Sequence, residues 1–147
     1  MGRFGGNTEG PRAKVRVVLD ANVFISGVFF TGPPYQILDA WRHGRLQLII
    51  SADILDEYQR VSKTLAKEYS QVDPAPIMAL LAVEAEMISP PRLPEQVCHD
   101  PEDDKFLACA LAAKTGLVIS GDMHLLRVSG YRGIEVIRPR EFVNRYL

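Results

Sequence analysis

Apolar residues follow two rhythms along this chain. Short, mostly apolar runs at Val15–Leu19, Leu46–Ile50, Leu117–Ser120 and Glu135–Ile137 read as strands, the first three apolar enough to be buried on both faces. Between them, apolar residues recur at helical spacing. Ile37, Leu38 and Trp41 do so in Tyr35–Arg42, and Ile54, Leu55, Tyr58, Val61 and Leu65 in a helix from about Ser51 to Leu65. Ile77, Leu80, Leu81 and Ala85 mark a helix over Pro74–Met87, with Glu86–Ser89 open as a short strand instead. The run Phe106–Ala113 is apolar nearly all round, so its helix is expected between other elements. Met123–Val128 reads as a short helix and Pro139 as the start of a terminal one holding Phe142, Val143 and Tyr146. Gly27–Pro34 is expected as a loop with Phe29 and Phe30 in the core, and Leu93–His99 as an irregular linker. Strands alternating with helices predict an α/β fold with a parallel sheet, all strand ends on one edge.

Where the apolar runs stop, carboxylates begin. Val15–Leu19 ends at Asp20, and Leu117–Ser120 is followed by Gly121-Asp122. Each aspartate alone reads equally as a turn residue or as a site residue delivered to the rim of a sheet. At 100° per residue, Asp56 lies opposite the apolar face of the Ser51–Leu65 helix and Glu57 on its flank. Glu57 is therefore either a surface partner of Arg60 or a group leaning over the sheet end. Asp100, Glu102, Asp103 and Asp104 crowd the start of the Phe106–Ala113 helix. Asp100 as N-cap and Pro101 in the first turn suit a helix start. The remaining acids exceed what a cap needs, and their repulsion calls for a cation or basic groups nearby.

Composition narrows the classes. The 147 residues, 47% hydrophobic and 24% charged, suit one packed domain, expected over residues 14–147 behind a disordered, Gly-rich tail at residues 1–13. The net charge of −1 excludes global attraction to polyanions, so any nucleic-acid site must be local. No apolar stretch approaches the roughly 20 residues of a membrane span. The N-terminus lacks the apolar middle of a secretory signal. Cys98 and Cys109 make no disulfide framework; Cys109 reads as a small core residue and a reducing cytoplasm is expected.

Asp20, Glu57, Asp104 and Asp122 can all project toward one end of the sheet. With no histidine or thiolate pairs competing, hard oxygen ligands suit Mg²⁺ or Mn²⁺ rather than zinc. Such ions act on phosphate esters.

The pieces Leu19-Asp20-Ala21-Asn22-Val23-Phe24-Ile25-Ser26, Ile54-Leu55-Asp56-Glu57-Tyr58, Asp100-Pro101-Glu102-Asp103-Asp104-Lys105-Phe106-Leu107-Ala108 and Val118-Ile119-Ser120-Gly121-Asp122 stand in this order in the chain. Together they resemble PIN-domain proteins, in particular the VapC-like ribonucleases that are toxins of toxin–antitoxin systems. The resemblance implies a doubly wound parallel sheet flanked by helices, an acidic pocket with Mg²⁺ or Mn²⁺, and hydrolysis of RNA. It implies Asp20, Asp104 and Asp122 as metal ligands and Glu57 as the residue that holds or deprotonates a water. Asn22, Asp100, Asp103 and Ser120 would support them, with Asp103 able to replace Asp104. It also implies an antitoxin partner and a homodimer, to which Phe29-Phe30 or the terminal helix could contribute. Arg127, Arg132, Arg138, Arg140 and Arg145, or Arg60, Lys63 and Lys67, are either solvated surface or an RNA-backbone grip. His124 reads as surface decoration. Three other readings compete: a housekeeping RNA-processing nuclease that needs no antitoxin, a PIN-like protein that binds RNA or a partner without cutting, and a phosphatase of the haloacid dehalogenase type. The last wants a second aspartate where this chain has Asn22.

Overall fold

Burial on both faces is what makes the strand runs so uniformly apolar. Val17, Val18, Leu19, Leu48, Ile49, Ile50, Val118 and Ile119 are all at most 1% exposed. The structure, a computed structural model, describes residues 14–147; the tail expected over residues 1–13 lies outside the described residues. Strands β1 (Val15–Leu19), β2 (Leu46–Ile50), β3 (Glu86–Met87), β4 (Leu117–Ile119) and β5 (Glu135–Ile137) form one parallel sheet in the order β3-β2-β1-β4-β5. Among the described residues, seven α-helices flank it: α1 (Ala21–Phe29), α2 (Pro33–Arg42), α3 (Ala52–Glu68), α4 (Ala75–Glu84), α5 (Asp104–Ala113), α6 (Met123–Leu126) and α7 (Pro139–Tyr146).

The sheet is doubly wound. From β1 the chain steps outward to β2 and β3, then crosses back to β4 and β5 on the other side. The strand order therefore reverses between β1 and β4, where Val18 pairs with Val118 and Leu19 with Ile119. Open α/β sheets bind ligands in the crevice at the carboxyl ends of such a pair. Here those ends carry Asp20 on one side and Ser120-Gly121-Asp122 on the other.

Two stretches differ from the sequence reading. Residues 21–29 form a helix rather than running into a loop. Asp20 caps it by accepting from the Val23 N–H at 2.8 Å, and six of its nine residues are buried. A short helix buried nearly all round has no amphipathic period to betray it. Gly27, expected in the loop, lies inside this helix. There a Cβ would meet the Pro34 carbonyl oxygen at 2.7 Å, so glycine is what lets α1 and α2 approach. Pro33 and Pro34, expected to break structure, open α2 instead, where a missing N–H costs nothing. Phe29 is buried, but Phe30, at the end of α1, is 45% exposed and lies edge-on to Tyr69. The open choice near residue 86 resolves toward the strand β3, where Arg16 reaches from β1 to hold Glu86 at 2.7 Å.

Candidate active site

Asp20 leaves β1 at the sheet's reversal point and is 3% exposed. Both its oxygens are oriented: Oδ1 accepts from the Val23 N–H at 2.8 Å, and Oδ2 accepts from the Ser120 hydroxyl. Ser120, wholly buried, in turn accepts from the Asp122 N–H at 2.9 Å. One serine thus ties the two strand-end aspartates together. Burial pushes the Asp20 carboxyl up to about 6; the Ser120 and Val23 bonds oppose this, and the charges of Asp122 and Glu57 add to it. Asp122 accepts from the His124 N–H at 3.0 Å and so caps α6.

Glu57 comes to the same edge because Tyr58 anchors α3. The Tyr58 ring stacks on Phe24 with centroids 4.2 Å apart, and its hydroxyl donates to the Leu19 carbonyl at 2.5 Å. The neighbouring Glu57 side chain then stands close enough to Asp20 to raise its pKa. Its ion partner is not Arg60, which lies 3.8 Å from Asp56, but Lys105 on α5. The Lys105 side chain is only 13% exposed, and its ammonium also lies 3.8 Å from Glu102. Lys105 follows the acid run directly, so it was visible as a charge opening an apolar helix. Its partner was not.

The acid run divides by role. Asp100 caps the one-turn 3₁₀ helix Pro101–Asp103 by accepting from the Glu102 N–H at 3.0 Å. Asp104 engages the preceding loop. Its Oδ1 accepts from the Cys98 N–H at 2.7 Å and its Oδ2 from the Val97 N–H at 3.0 Å. Asp103 faces the other acids. Its carboxyl is pushed up to about 6, first by burial and then by the charges of Asp122, Asp100, Asp20 and Glu57. Asn22 is exposed in the first turn of α1. Asp20, Glu57, Asp103 and Asp122 therefore share one electrostatic field at the reversal point. Among the described residues, no three Asp, Glu, His or Cys side chains form a ready-made chelate; the carboxylates engage caps, backbone and Lys105 instead.

A groove of about 600 Å³ runs alongside, past Lys105, between the start of α3, the loop carrying Arg92 and Gln96, and the start of α5. Asp20, Asp103 and Asp122 do not line it. Of the C-terminal arginines, Arg145 is taken up by Glu135 and Glu141, at 2.8 and 3.3 Å. No helix among the described residues is long and apolar enough to cross a membrane.

Comparison with known proteins agrees with this geometry. The chain is 27% identical over 147 residues to the uncharacterized protein MJ1680 of Methanocaldococcus jannaschii, an alignment covering 92% of this chain and 94% of the relative. A family model described as PIN domain matches residues 16–124, a span that includes β1, the acid run and Asp122. With its five-stranded parallel sheet and the acids gathered where the strand order reverses, the chain belongs to the PIN domain family, whose members are generally nucleases.

Proposed function

We propose that this protein is a divalent-metal-dependent endoribonuclease in which Asp20, Asp103 and Asp122 hold Mg²⁺ or Mn²⁺ and Glu57 serves the attacking water. The observation that carries the reading is the convergence of acids at the sheet's reversal point, where Ser120 ties Asp20 to Asp122 and the charges of Asp103 and Glu57 join them. Carboxylates so crowded and desolvated are relieved by a cation. An all-oxygen donor set fits a hard ion. PIN domains typically bind divalent metals and commonly bind RNA.

When bound, the ion would neutralise phosphoryl oxygens and make a water more acidic. The chain's own residues then do the orienting. Val23 N–H and Ser120 fix both oxygens of Asp20, so that carboxylate meets its ligand without first losing rotamer freedom. Ser120 carries the same order to Asp122 through its backbone N–H. Glu57, tethered by Lys105, is the base that takes the proton of the attacking water.

This reading moves the third ligand from Asp104 to Asp103. The charges of Asp122, Asp20 and Glu57 bear on Asp103, whereas Asp104 is engaged by the Val97 and Cys98 N–H groups of the preceding loop and anchors it. The test is cleavage of a labelled single-stranded RNA with Mn²⁺ by matched variants. Asp20→Asn and Asp103→Asn should each lose more than the roughly 100-fold that marks the upper end for outer supporting groups. Asp104→Asn should lose less, while melting at lower temperature. A dead Asp104→Asn beside an active Asp103→Asn restores Asp104 as the ligand. An Asp20→Asn variant as active as its parent refutes the nuclease reading.

The role as toxin of a toxin–antitoxin pair rests on family context. It predicts growth arrest on expression, relieved by Asp20→Asn and by a co-expressed small partner protein. Growth unaffected by the active enzyme would count against it.

A further inference from the structure

The rim beside Asp122 carries a second arrangement that the metal chemistry does not use. The rings of His99 and His124 stack with centroids 4.7 Å apart and planes 19° from parallel. They arrive from different elements, each held by one of the site's acids. Asp104 accepts from the N–H groups of Val97 and Cys98, and Gln96 donates to the Cys98 and His99 carbonyls at 3.0 and 3.2 Å. Cys98 is 2% exposed, so the loop is pinned into the core one residue before His99. On the other side, Asp122 caps the turn that starts α6 and carries His124. The stack is thus built in advance, and His99 remains exposed. Met123, 51% exposed, precedes His124 in the chain, and the guanidinium of Arg138 lies 3.4 Å from the Met123 sulfur. Arg138 follows β5, whose last carbonyl bonds the Ser120 N–H, so it stands at the same sheet edge as the acids. Among the described residues, Arg138 is exposed and forms no ion pair.

We infer that His99 and His124 form a stacking platform for an unpaired RNA base next to the scissile phosphate, with Arg138 holding a backbone phosphate beside it. The inference rests on the ribonuclease reading above and assigns where its substrate lies. An aromatic stack with one exposed ring, on a rim that also carries an unpaired arginine, is the pairing that single-stranded nucleic acids use, because every base has a π-face. Stacking of this kind is tolerant of sequence, so the platform would hold a nucleotide in place without selecting it strictly. Asp104 then acts at one remove, by presenting His99.

The test is fluorescence anisotropy of a labelled eight-nucleotide single-stranded RNA on the full-length Asp20→Asn protein, with a second RNA carrying 2-aminopurine to report stacking. His99→Ala and His124→Ala should each weaken binding by about tenfold, within the range for loss of one base–aromatic stack. Both should also release the 2-aminopurine quenching. His99→Phe should restore both signals, which a purely structural role would not do. Arg138→Ala should weaken binding equally for oligo(A) and oligo(U) and flatten the salt dependence by about one phosphate contact. If His99→Ala and His124→Ala bind and quench as their parent does, the platform is wrong, while cleavage by wild type and its loss in Asp20→Asn still uphold the nuclease. If neither protein binds nor cleaves RNA, both readings fall.

Discussion

Asp20 should cost this protein stability, and the cost can be read from its surroundings. Its carboxyl is pushed up to about 6 from an ordinary value of 3.8, chiefly because it is buried. Below pH 4 it is protonated folded and unfolded, and costs nothing. Between pH 4 and 6 the unfolded chain ionises while the fold keeps its proton, so stability falls as pH rises. Above pH 6 the loss is complete, at roughly 3 kcal/mol, with about half of it already present at pH 5. Asp20→Asn deletes the charge in nearly the same shape. Its amide oxygen can still accept from Val23, and its NH₂ can donate to Ser120, whose oxygen has a free lone pair. The variant should therefore be more stable than wild type at pH 8 by up to about 3 kcal/mol, and by markedly less at pH 5. Urea unfolding in EDTA measures this, with the buried Trp41, the chain's sole tryptophan, as fluorophore. A second arm adds Mn²⁺. Wild type should gain about 2.7 kcal/mol at a hundred times the dissociation constant, an amount near what the carboxylate costs, and the variant little or none. Asp20→Asn no more stable than wild type, or a difference unchanged from pH 5 to pH 8, would refute the reasoning.

Other perturbations have clear signs. Lys105→Met removes the built-in cation from Glu57, so calorimetry should find Mn²⁺ bound several-fold more tightly; unchanged or weaker binding would mean the ion pair does not compete with metal. Gly27→Ala should destabilise by about 1–3 kcal/mol in denaturant despite alanine's better helix propensity, because its Cβ meets Pro34 and Leu38. Tyr58→Phe should cost about 1 kcal/mol or somewhat more by leaving the Leu19 carbonyl without its donor, and should lower the cleavage rate through Glu57; an unchanged melting temperature would show that the carbonyl finds another partner.

What the chain declares locally is its strands and their terminal acids. Continuous apolar runs at residues 15–19, 46–50 and 117–119 are read directly because burial on both faces demands them, and a carboxylate just past such a run must stand at a sheet rim. The flank position of Glu57 followed from helical spacing, and the parallel sheet from alternation of elements. Tertiary structure alone decided the rest. Asp103 and Asp104 are adjacent, identical in side chain and about 100° apart on a helix. Which of them anchors the 97–98 backbone depends on where that loop passes, and no local pattern encodes that. The α1 helix hid because burial on nearly every side erases its period. Lys105 found Glu57, and His99 found His124, across chain separations that only packing closes. Local patterns carry the interactions between a residue and water; which residues then meet one another is set by how the layers stack.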